Sequence, residues 1–127
     1  MQAIFPTIRH ATARIAASAA LLCVASLAFA HAYPVKQTPG AGATVATTQS
    51  SVSIEFDDGL EPTFSTIAVT DAQGQSVATG KSVVDPADHK HMSVALKPLS
   101  AGAYTVTWVA VADDSHRTHG HYSFTVK

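Results

Sequence analysis

The sequence predicts an all-β chain: an immunoglobulin-like Greek-key β-sandwich preceded by a cleaved signal peptide. Three observations carry that expectation. Apolar residues recur at every second position over several short runs, turn-forming clusters of Gly, Pro and Asp separate those runs, and helical spacing is absent from the chain after residue 30. Six or seven short strands in so small a space favour two packed sheets, with a closed barrel as the second choice.

The first segment stands apart. Arg9 and Arg14 precede an apolar run from Ile15 to Phe29, and Ala28-Phe29-Ala30 supplies the small residues that a signal peptidase cuts after. Residues 1–30 are therefore expected to be a secretory signal, and residues 31–127 one domain. An uncleaved anchor is the competing reading, but the run is about 15 residues where a spanning helix needs roughly 20. Without the signal the chain has 97 residues, with six Lys and Arg against nine Asp and Glu, a net charge of −3. That balance lacks the basic excess that phosphate neutralisation requires, which argues against nucleic-acid binding. Cys23, the single cysteine, leaves with the signal. No disulfide is then available, and packing must hold the fold.

Within the domain, the alternation runs through Val52, Ile54 and Phe56, then Ile67 and Val69, then Met92, Val94 and Leu96. It continues through Tyr104, Val106, Trp108 and Ala110, and ends with Tyr122, Phe124 and Val126. Each run has the period of a strand buried on one face. Turn residues lie between them at Pro39-Gly40-Ala41-Gly42, Asp57-Asp58-Gly59, Asp71-Ala72-Gln73-Gly74 and Ala101-Gly102. Gly102-Ala103-Tyr104 has the form of a tyrosine corner, whose phenol bonds back to nearby backbone. Trp108 shares the parity of Tyr104 and Val106, which assigns it to the core.

Six histidines follow the signal, as many as Lys and Arg together, and His31 would become the new amino terminus. A free α-amine and the Nδ1 of the same residue can chelate one metal in a six-membered ring, which no internal His can do. Asp114-Ser115-His116 offers a second pair of donors: in extended chain, positions i and i+2 project from one face. Nitrogen donors with a carboxylate suit Cu(II), which heads the divalent affinity order. His119 and His121 are expected on the face opposite Tyr122, Phe124 and Val126, and His89 and His91 opposite Met92, Val94 and Leu96. Each of these two pairs is either an auxiliary, weaker metal site or simply solvated.

These residues together resemble a known family. His31-Ala32, Thr38-Pro39 followed by Ala43-Thr44-Val45, the strand Val52-Ser53-Ile54-Glu55-Phe56, and Gly102-Ala103-Tyr104-Thr105-Val106-Thr107-Trp108 carry part of the likeness. Asp114-Ser115-His116, Gly120 and Phe124-Thr125-Val126 complete it. The pattern resembles the CopC family of periplasmic copper-resistance proteins and covers almost all of the chain after the signal. The resemblance implies a monomeric β-sandwich that binds Cu(II), one ion, outside the cytoplasm. By motif position, His31 would give amine and imidazole, Asp114 an oxygen and His116 a nitrogen. It also implies an acidic residue near the metal but not on it, best matched by Asp58, and an inner-membrane partner of CopD type. The chain departs from the family at Arg117, where many members have Pro, and in its additional His119 and His121. With Met92 the only methionine after the signal, a thioether-built Cu(I) site is not available, though His89, His91 and Met92 leave a mixed weak site open.

The leading expectation is a periplasmic copper carrier or buffer, not an enzyme. An amino-terminal His with a second His also matches the copper brace of oxidative polysaccharide-cleaving enzymes, but nine aromatic residues leave little for a sugar-binding surface. A third reading is a metal-free interaction module whose histidines are surface residues, which fold alone does not exclude.

Overall fold

The computed structural model describes residues 31–127; the expected signal segment, with Cys23, lies outside the described residues. Eight strands follow one another: β1 (Pro34–Thr38), β2 (Thr44–Val45), β3 (Ser51–Phe56), β4 (Thr66–Thr70), β5 (Val83–Asp85), β6 (Asp88–Ala95), β7 (Gly102–Val111) and β8 (Arg117–Val126). They form two four-stranded sheets, ordered β1-β3-β6-β5 and β2-β8-β7-β4. The two-sheet sandwich is thus as expected, with more strands than the sequence announces. The additional strands lie at sheet edges: β1 carries a register shift between Pro34 and Lys36, β2 has two residues that run parallel to β8, and β5 has three. Edge strands this short bury too little of one face to write an alternation into the sequence.

The strands with alternation behave as their pattern requires. Val52, Ile54 and Phe56 of β3 and Met92 and Val94 of β6 are buried against Ile67 and Val69 of β4, Val106, Trp108 and Ala110 of β7, and Tyr122, Phe124 and Val126 of β8. The phenol of Tyr104 donates to the Ser100 carbonyl at 2.7 Å, the tyrosine corner anticipated from Gly102-Ala103-Tyr104. Trp108 lies in the core, edge-on to Phe56 with ring centres 5.4 Å apart. Met92 is fully buried, so its thioether faces the core, away from His91. That corrects the open possibility of a mixed His89, His91 and Met92 site: the strand's own pleat puts sulfur and imidazole on opposite faces.

β7 and β8 pair without interruption from Gly102 opposite Val126 to Val111 opposite Arg117. Their hairpin loop, Ala112–His116, is closed by two backbone bonds, Ala112 N–H to the His116 carbonyl and Ser115 N–H to the Ala112 carbonyl, both 2.9 Å. The β3–β4 loop is fastened beside it. Glu61 N–H reaches the Val111 carbonyl at 2.8 Å, Val111 N–H reaches the Ser65 hydroxyl at 3.0 Å, and Leu60 bridges Ala112. These ties fix the end of the sandwich at which residues 31–33 arrive.

Candidate metal centre

Residues 31–33 lead into β1 and cross this end of the molecule. Ala32 is fully buried, and its carbonyl accepts the Thr118 hydroxyl at 2.6 Å, a bond between residues 86 positions apart. Tyr33 is tied on the other side: its N–H donates to the Asp57 carboxylate at 2.7 Å, and Asp57 N–H returns to the Tyr33 carbonyl at 3.0 Å. With Ala32 and Tyr33 both anchored, half-buried His31 has little freedom of position. Its ring centre lies 4.9 Å from that of His116 and 6.1 Å from that of Tyr33.

His116 is held in turn by Asp114. One carboxylate oxygen accepts the His116 backbone N–H at 3.0 Å, and the other is 2.7 Å from the ring Nδ1. The backbone bond, then the ring bond, hold the Asp114 carboxyl below the usual carboxylate range, with smaller help from the charges of His116 and His31. A carboxylate on Nδ1 orients the ring and leaves Nε2 as the available donor. Each carboxylate oxygen retains a further lone pair, so Asp114 can orient His116 and still offer oxygen to a cation.

The route to this convergence differs from the one expected. Asp114 and His116 do not project from an extended strand; they belong to the hairpin loop, where Ser115 adopts φ 71°. The turn, not the pleat, brings carboxylate and imidazole together. Among the described residues, no group of three or more His, Cys, Asp or Glu side chains is already closed around one point. His31 and Asp114 both lie beside His116, and their imidazole nitrogen and carboxylate oxygen are donor types that suit Cu(II) chemically.

The other candidates have different surroundings. Asp58 accepts the N–H of Gly59 at 2.8 Å, while its neighbour Asp57 tethers Tyr33. His119 and His121 are exposed on β8, on the face opposite buried Thr118 and Tyr122, as parity requires. His91 pairs across the ladder with Glu55 and is half-buried, whereas His89 is exposed. Sequence reasoning missed Asp57 and Thr118. Thr118 did leave a trace: it is a hydroxyl at a position whose parity, shared with Tyr122, Phe124 and Val126, is otherwise the core face.

Comparison with known proteins finds relatives over most of the chain. The family profile described as the CopC domain matches residues 34–127. "Protein YobA" of Escherichia coli K12 is 35% identical over 100 residues, covering 78% of this chain and 81% of that one. "Copper transport protein CutJ" of Bacillus subtilis is 34% identical over 107 residues, 84% of this chain but 20% of its own length. The crystal structure of PcoC, a methionine-rich copper resistance protein from Escherichia coli, superposes with a TM-score of 0.67 at 34% identity. It covers 77% of this chain and all of that one, 100%.

Proposed function

This chain belongs to the CopC family, and from that premise we propose that it is a periplasmic Cu(II) carrier or buffer serving copper resistance and homeostasis. Signal cleavage after Ala30 exposes the His31 α-amine. The amine and imidazole of His31, an oxygen of Asp114 and the Nε2 of His116 then hold one cupric ion, which is cargo and undergoes no reaction on the protein. The observation that carries this reading is the 4.9 Å approach of the His31 and His116 rings, with Asp114 bonded to the second of them.

The protein acts as a monomer and releases its ion to a copper transport protein of CopD type in the inner membrane. The partial match to CutJ supports that delivery, because a segment like this chain forms one part of a much longer copper transport protein. His116 is well placed for hand-over: its side chain is 54% exposed, so a partner's ligand can approach the ion from that side.

The test is a Cu(II) titration of the chain beginning at His31 beside a version with one residue added before it. The added residue removes the amine from its six-membered ring, and affinity is expected to fall at least tenfold, about 1.4 kcal/mol. Equal affinity for the two forms rejects the proposed ligand set.

A further inference from the structure

We propose that His119 and His121 form a second, independent Cu(II) site on the outer face of β8, a two-imidazole chelate open to solvent. The unbroken β7–β8 ladder fixes both side chains on that face, His119 opposite Val109 and His121 opposite Thr107. Neither neighbour carries a charge. Both imidazoles are exposed, and neither hydrogen-bonds or ion-pairs with another described residue, unlike His116. Gly120 between them faces inward against the Trp108 indole, which pins the backbone of the pair.

The spacing suits one ion. Residues i and i+2 of a strand are about 7 Å apart, and a metal with bonds of about 2 Å draws two imidazole nitrogens together when the rings lean toward each other. Imidazole nitrogen with water in the remaining positions suits Cu(II) above other first-row divalent cations. Two protein donors make a weaker and more exchangeable site than four. Arg117 lies on the same face two residues from His119 and weakens it further. His116 belongs to the hairpin loop, whereas His119 and His121 lie within β8 on its outer face, which keeps this ion separate from one held at His31 and His116. The His89 and His91 pair is a poorer candidate. The β5–β6 register is irregular beside it, and the hollow lined by His91 and Glu55 also holds Lys36, whose charge repels a cation.

The untagged protein is titrated with Cu(II) by equilibrium dialysis in four forms: unaltered, H119Q/H121Q, H89Q/H91Q and H116Q. Two ions are expected in the unaltered protein, one in H119Q/H121Q and two in H89Q/H91Q, while H116Q keeps the weaker ion. Replacing His119 alone is expected to weaken that ion at least tenfold. The proposal is overturned if the unaltered protein holds no second ion, if that ion survives H119Q/H121Q, or if H116Q removes it. Loss of only the tighter ion's expected behaviour tests the chain-start ligand set and leaves the β8 pair standing.

Discussion

At the scale of single residues, the candidate centre depends on a hydroxyl that binds no metal. Thr118 grips the Ala32 carbonyl at 2.6 Å from the core face of β8, and this bond, with the Asp57 clamp on Tyr33, sets where His31 sits. Thr118→Val preserves shape but leaves a buried carbonyl without its donor, a loss of about 1–3 kcal/mol. Urea denaturation is expected to show that cost with the fold retained. Cu(II) affinity is expected to fall at least threefold, because His31 is no longer pinned beside His116. Thr118→Ser keeps the hydroxyl and is expected to keep most of both. If Thr118→Val binds Cu(II) as the unaltered protein does, the tether does not position the site.

At the scale of elements, β8 joins the site to the core, and Gly120 is its tightest point. A Cβ there would lie 2.6 Å from Cζ2 of Trp108, closer than packed atoms approach, so either the indole or the strand must move. Gly120→Ala is expected to destabilise the protein by about 1–3 kcal/mol, the usual cost of overpacking, as read from its denaturation midpoint. A midpoint unchanged from the unaltered protein would mean that Trp108 can move aside without cost. The same strand shows what the sequence could and could not tell. Tyr122, Phe124 and Val126 announced a strand because burial on one face repeats every second residue, and so did the runs in β3, β6 and β7. β1, β2 and β5 announced nothing, since none buries two alternate positions, whereas β4, also at a sheet edge, buries Ile67 and Val69. The residues of the candidate centre were legible, but the way they are held was not. Asp114 and His116 meet through a loop with Ser115 at φ 71°, and Thr118 and Asp57 act through bonds between residues far apart in sequence, which leave no period to read.

At the scale of the whole molecule, one hydrophobic core carries the stability, and Tyr122 brings a polar group into it. Its hydroxyl is buried with no hydrogen-bond partner among the described residues, and burial pushes its pKa up to about 12 from 10.0. The sign of the pH effect follows from linkage. The unfolded chain ionises this phenol near its ordinary value while the folded chain still holds the proton. The unfolded state therefore binds fewer protons between about pH 10 and 12, and stability falls as pH rises through that interval. Tyr122→Phe removes both the buried unpaired hydroxyl and the titration. At pH 7 its urea midpoint is expected to equal or exceed that of the unaltered protein, since an unsatisfied buried group is exchanged for an apolar one of nearly the same shape. Between pH 9 and 11 it is expected to lose less stability than the unaltered protein loses. Parallel losses in the two proteins would place the alkaline sensitivity elsewhere and would mean that water reaches the Tyr122 hydroxyl in the folded state.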